Sequence, residues 1–129
     1  MRIFVAVSLM TLAFASVPAA AEPVAVLVAV PVPKGMPKAQ LEALFRQSVP
    51  EYAKLPGLVR KYYTIGDDGR AGGIYLWSSR AAAEAWYNAA WKAGVQTRWG
   101  APAAVSYFDV PVIVDGPATA QTSAQTSGQ

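Results

Sequence analysis

The side chains of this chain that could do chemistry are phenols, indoles and cations set in apolar segments. Tyr62, Tyr75 and Tyr107 lie on three predicted strands, where each can hydrogen-bond a ligand oxygen or donate a proton. Arg60 and Lys61 occupy successive positions of one strand, so at most one of them faces a covering helix. Alternation groups Arg60 with Leu58 and Tyr62, and Lys61 with Val59 and Tyr63. A guanidinium tolerates burial and stacks on aromatic rings, so Arg60 is the expected cavity cation and Lys61 the alternative. An ion pair at a subunit interface is the competing role for Arg60. Asp109, near the end of the last strand, is a candidate base or simply a solvated strand end.

Five aromatic side chains are expected to bind a ligand: Phe45 from a first helix, Tyr75 and Trp77 from a strand, and Trp86 and Trp91 from a second helix. On that second helix Ala82, Ala85, Ala89 and Ala93 share a stripe with Trp86, and Tyr87 with Trp91 lies on the neighbouring one. Small residues beside large rings leave room for a guest, while core filling is the alternative role for each ring. Asn88, next to Trp91 on the helical wheel, is expected to face solvent.

The 129 residues contain no cysteine and no histidine, which excludes thiol catalysis, disulfides, Ser-His-Asp triads and His or Cys metal sites. The eight acids are dispersed, and only Asp67 and Asp68 adjoin, in a Gly-flanked turn, so no metal site is expected. The net charge is +3 and the Lys and Arg residues are scattered, which argues against nucleic-acid binding.

These side chains must be positioned by a small core. Met1-Arg2 followed by an apolar run from Ile3 to Val17 and by Ala19-Ala20-Ala21 predicts a secretory signal over 1–21. The run is too short for a membrane span, and a mature chain beginning at Glu22 would be periplasmic or secreted, with no membrane contact after cleavage. Val24 to Val30 is a β-branched strand. Pro37 opens a helix whose Leu41, Leu44, Phe45, Val49 and Tyr52 form one face and whose end Pro50 should kink or shorten. Pro56-Gly57 leads into a strand from Leu58 to Ile65, expected to be covered on both faces. Gly66-Asp67-Asp68-Gly69 is a hairpin connection to a strand from Gly73 to Trp77.

Ser78 or Ser79 caps one continuous helix to Lys92, with Gly94 as its stop. A loop over Val95 to Ala103, a strand from Ala104 to about Val110 and a short extension at Val112-Ile113-Val114 follow. Residues 116–129 are Ala, Thr, Gln, Ser and Gly without an aromatic and predict a disordered tail after a domain over 22–115. The resulting order, β-α-β-β-α-β, is the ferredoxin-like α+β arrangement. Its strands are apolar on both faces, yet helices cover only one, so the other is expected to meet a second copy of the chain.

Within that frame, Pro56-Gly57-Leu58 with Lys61 and Tyr62, then Ala71-Gly72-Gly73-Ile74-Tyr75-Leu76-Trp77, and then Tyr107-Phe108-Asp109-Val110 resemble the monooxygenase family named for the Escherichia coli protein YdhR. The resemblance covers roughly Val24 to Asp115, and Ala-Gly-Gly-Ile-Tyr-Leu is its most specific part. It implies the dimeric α+β barrel fold and a similarity to antibiotic-biosynthesis monooxygenases, which oxidise electron-rich polycyclic phenols with O2 and without metal or flavin. No cofactor and a homodimer are therefore implied. Other members of the superfamily degrade haem through a histidine ligand, which this chain lacks. The secretory signal and extra residues around Thr97 to Pro102 depart from the family pattern.

Chemistry of that kind needs an acidic phenol or anthrone in an apolar pocket and a group that takes or stabilises its proton. Arg60, Tyr62 and Tyr107 are the expected catalytic residues on this reading. A non-catalytic extracytoplasmic protein that binds a hydrophobic small molecule, and an O2-independent isomerase, cyclase or dehydratase, are the alternatives that the same fold allows.

Overall fold

A computed structural model describes residues 21–118. The expected signal segment up to residue 20 and the tail from residue 119 onward lie outside the described residues. Alternating valines make β1 (Val24–Pro31), whose Val24, Val26, Val28 and Val30 are all buried on one face. β1 pairs antiparallel with β3 (Arg70–Trp77) on one side and with β4 (Ala104–Asp109) on the other. β2 (Leu58–Ile65) joins the far edge of β3, giving a four-stranded sheet in the order β2-β3-β1-β4. Three helices cover one face: α1 (Lys38–Tyr52), α2 (Arg80–Trp86) and α3 (Ala89–Trp99). This is the ferredoxin-like α+β arrangement, with its second helix in two pieces.

That break is the largest difference from the expectation of one continuous helix. Ser79 caps α2 by accepting from the Ala82 N–H, but the helix ends at Trp86. Asn88 adopts extended backbone and starts α3, its Oδ1 accepting from the Trp91 N–H at 2.9 Å while its Nδ2 donates to the Ala85 carbonyl at 3.1 Å. Short polar side chains compete with the backbone in this way, and here the two bonds offset those the helix gives up. The kink turns Tyr87 fully into the core. Gly94 lies inside α3, which runs on to Trp99 through the segment expected to be a loop; Gly100, with φ 74°, ends it in the left-handed conformation.

Smaller differences have equally local causes. β3 begins at Arg70, because Gly72 and Ala71 already pair with Ala29 and Val30. Pro37 precedes α1 as its extended capping residue, and Pro50 sits inside the helix without ending it, since so near the C-terminus it removes a single bond. Val112-Ile113-Val114 forms no strand, and all three side chains are exposed. Nor is β2 covered on both sides.

The helix-facing layer holds two hydrophobic clusters. One contains Val24, Val26, Val28, Tyr75, Trp77, Ala83 and Tyr87; the other contains Val30, Leu41, Ala71 and Val95. Each fully buried valine contributes ~1.5–3 kcal/mol. Trp91 packs against both clusters, and they do not close completely between them. The opposite sheet face is apolar and open: Leu27 is 41% exposed, Ile74 44%, Phe108 52% and Tyr62 53%.

Two glycine substitutions test this architecture in opposite directions. A Cβ on Gly72 would collide with the Val28 carbonyl across the β1–β3 ladder, so Gly72→Ala should lower unfolding free energy in urea by about 2–4 kcal/mol. A Cβ on Gly94 meets nothing within 4 Å, and Gly94→Ala should stabilise by about 0.5–1 kcal/mol because it sits in mid-helix. A loss of stability in the second variant would contradict a helix running through Gly94.

Candidate functional site

Between the two clusters, α1 and α3 form walls over a floor of Val28, Val30 and Gly72, enclosing a cavity of about 450 Å³. On α3, Trp91, Val95, Arg98 and Trp99 recur at helical spacing and point into it. On α1, Phe45, Ser48 and Tyr52 do the same. Exposed Gln47, Glu51 and Arg98 mark the mouth. A volume of this order suits a two- or three-ring organic molecule.

Of the three charged side chains on this lining, Glu51 and Arg98 are exposed at the mouth and Lys61 lies among the rings. Its Nζ stands 3.1 Å from the centroid of the Tyr52 ring, 3.8 Å from that of Tyr63 and 4.9 Å from that of Tyr75. Among the described residues no carboxylate reaches ion-pair distance of it, although Glu51 lines the same cavity. Burial strips water from the amine and lowers its pKa to about 7, against a weaker upward pull from Glu51. The ring faces also favour the ammonium form, so burial is the stronger influence.

The phenols around it behave differently. Tyr63 lies 2.7 Å from the Ser48 hydroxyl, which itself donates to the Phe45 carbonyl at 2.9 Å, so Tyr63 donates to Ser48. Burial raises the pKa of Tyr63, Tyr75 and Tyr87, with Tyr75 and Tyr87 driven far above the ordinary phenol range. These are neutral donors at any physiological pH. The rings also hold one another: Tyr75 meets Tyr52 at 5.9 Å and Tyr87 at 5.6 Å, and Tyr87 meets Trp91 edge-on at 4.8 Å.

Three of the residues singled out in the sequence, Phe45, Tyr75 and Trp91, line the cavity together. The others do not. Arg60, expected as the cavity cation, lies on the open sheet face, where its Nη1 donates to the Tyr62 hydroxyl at 3.3 Å. Tyr62 shares that face and is remote from the cavity. The cause is a β-bulge between Leu58 and Arg60: Leu58 pairs with Trp77 but Arg60 already pairs with Leu76. The extra residue, Val59, reverses the alternation, so Leu58, Lys61 and Tyr63 share the helix side. With no glycine at the site to signal it, the strand pattern conceals the bulge.

Trp77 is a core residue, its Nε1 donating to the Tyr87 hydroxyl at 3.2 Å. Trp86 packs edge-on against Tyr52 at 5.6 Å, outside the cavity lining. Tyr107 faces the helices but lies behind Tyr87, with the Arg80 guanidinium 5.2 Å above its ring. Asp109 pairs with that same Arg80 at 3.1 Å and is not a base at the cavity. Tyr52, Tyr63, Ser48 and Trp99 also line the cavity, and no local sequence signal marks them as ligand-binding beyond the place of Tyr52 on the inward face of α1. Among the described residues no group of three or more acids could hold a metal ion, and no helix is long and apolar enough to cross a membrane.

The family model described as putative mono-oxygenase ydhR matches residues 27–111, a span that contains every cavity-lining residue. No curated protein matches the chain. Among solved structures, the NE2512 protein of unknown function from Nitrosomonas europaea superposes with a TM-score of 0.60 at 13% identity, covering 75% of this chain and 97% of that one. The heme-degrading protein Rv3592 from Mycobacterium tuberculosis gives 0.55 at 26% identity, covering 74% and 99%. A monooxygenase from the gene ActVA-Orf6 of Streptomyces coelicolor, in complex with the ligand Nanaomycin D, gives 0.50 at 17% identity, covering 74% and 93%.

The buried amine predicts a signature in stability. Lys61 titrates near 7 in the fold and near 10.4 in an unfolded chain, which therefore binds the proton more tightly. Stability attributable to this group rises with pH between those values, and the cost of the buried ammonium is complete below about pH 7. Lys61→Met should accordingly raise unfolding free energy by about 1–3 kcal/mol at pH 6, an interval reduced for the partial exposure of the amine. The difference from wild type should shrink toward pH 10 in thermal melts followed by circular dichroism.

Proposed function

The chain belongs to the ydhR mono-oxygenase family, and on that premise we propose that it is a cofactor-independent monooxygenase of a phenolic, polycyclic aromatic molecule bound between sheet and helices. One observation carries this reading: a single unpaired amine, Lys61, at an apolar, ring-lined cavity of about 450 Å³. The ActVA-Orf6 monooxygenase, whose fold is shared, is in complex with Nanaomycin D, and that lends support to an aromatic guest here.

In this mechanism the aromatic faces of Tyr52, Tyr75 and Trp91 hold the flat substrate. The neutral Lys61 amine takes the proton of its phenol or activated methylene. The resulting ammonium, poor in water, stabilises the anion beside it. That anion passes one electron to O2; recombination gives a peroxide anion, to which the Lys61 ammonium returns its proton, and the resulting hydroperoxide loses water to leave a carbonyl on the ring, one oxygen atom entering product and one entering water. Haem ligation through imidazole, by contrast, is closed to a chain without histidine.

Export through the signal over 1–21 belongs to the same proposal and places the protein in the periplasm or outside the cell. So does homodimerisation through the open sheet face, where Leu27, Ile74, Phe108 and Tyr62 leave a contiguous apolar surface.

Oxygen uptake by the purified protein on a panel of anthrones and hydroquinones, with no metal, flavin or nicotinamide added, tests the chemistry. Uptake should exceed the spontaneous rate, rise with pH through about 7, and fall at least about 100-fold in Lys61→Met while Arg60→Ala stays within about twofold. No uptake across the panel, with ligands still bound, would instead favour the non-catalytic binding protein. Light scattering should give twice the chain mass in solution, and Ile74→Asp, which puts a charge on the open face, should give a monomer.

A further inference from the structure

We propose that Lys61 is a nucleophile: its Nζ condenses with the carbonyl of an aromatic aldehyde seated in the cavity to form a Schiff base. The inference rests on the place of Lys61 in the cavity and not on oxygen chemistry, so it and the oxygenase reading can fail separately.

Geometry supplies three conditions that such a lysine needs. First, the amine is free of carboxylates. Lys38 sits 3.8 Å from Glu42, whereas Lys61 makes no ion pair among the described residues and lies against ring faces. A salt bridge would hold it as ammonium, which has no lone pair to give. Second, the rings of Tyr52, Tyr63 and Tyr75 crowd it on several sides, limiting how the Nζ can turn, while Lys61 itself lines the cavity. An electrophile that stacks within the cavity meets a nitrogen already positioned, which is the main benefit of a bound reaction over one in solution. Third, the Tyr63 hydroxyl is tied to Ser48 at 2.7 Å, which fixes the ring face against which the amine rests.

The lowered pKa agrees with this arrangement. At pH 7 about half of Lys61 is free amine, against roughly one part in 2,500 for an ordinary lysine.

The chemistry balances without an oxidant or reductant. The Nζ lone pair adds to the carbonyl carbon, forming a C–N bond, and a proton passes from nitrogen to oxygen to give a carbinolamine. Loss of that oxygen as water leaves the C=N bond, so amine and aldehyde become imine and water. An apolar cavity favours the product by releasing the water and by seating the aryl group among rings. The class of ligand is therefore a two- or three-ring aryl aldehyde; small aliphatic aldehydes gain nothing from the ring walls.

The probe is 2-naphthaldehyde at stoichiometric concentration with the full-length protein at pH 7, trapped with sodium borohydride and located by peptide mass spectrometry. Lys61 should carry the secondary-amine adduct at least about tenfold faster than Lys34, Lys38, Lys54 or Lys92. Excess 2-naphthol should protect it, and acetaldehyde should show no such preference. Lys61→Arg, which keeps a cation and lacks a nucleophilic amine, should remove the fast site while leaving the slow ones. Labelling of Lys61 at the rate of the other lysines, or fast labelling that 2-naphthol fails to block, overturns the proposal. A folded Lys61→Arg protein that retains a single fast site overturns it equally.

Discussion

Helices cover one face of the sheet and leave the other bare, and most of the structure follows from that asymmetry. The sheet carries large apolar side chains on both faces, but α1, α2 and α3 pack on the same side. That side must hold both the core and the cavity. It does so by dividing the core into two clusters that Trp91 bridges, with the vacancy lying between them. The bare side keeps large apolar side chains in water, a cost that a partner surface would relieve.

Within the covered side, aromatic rings carry two tasks that pull against each other. They exclude water from Lys61, which favours the neutral amine, and they present electron-rich faces to it, which favours the ammonium. Because desolvation is the stronger, the group titrates near neutrality, where it can accept and return a proton or act as a nucleophile. The same burial acts oppositely on the phenols, holding Tyr75 and Tyr87 protonated as donors. One physical cause thus lowers the pKa of the amine and raises those of the phenols beside it. Tyr87 reaches its place only because α2 stops at Trp86 and Asn88 begins a new helix, so a local contest between side-chain and backbone hydrogen bonds shapes the aromatic layer.

Strands were the most legible elements, since β-branched runs bounded by Pro, Gly and Asp mark their own ends; β1, β2 and β4 lie within a residue or so of where the pattern puts them. The Ala71–Trp77 segment that carries the family resemblance is the strand that pairs with both β1 and β2. Helix interiors were harder. Gly94 reads as a stop by propensity, yet Val95 and Trp99 on the cavity wall gain enough from packing to carry α3 through it.

The sequence by itself determined the order of strands and helices, the family, the exclusion of thiol and imidazole chemistry, and the presence of a cation within an aromatic-rich layer, because each depends on residue type and short-range periodicity alone. Tertiary structure decided which cation that is. A single extra residue at Val59, tolerated on an edge strand that pairs on one side only, turns Arg60 outward and Lys61 inward. It also decided which rings leave a space and which fill one, because a cavity is a residual of packing among α1, α3 and three strands, and no pattern within any one of them specifies it.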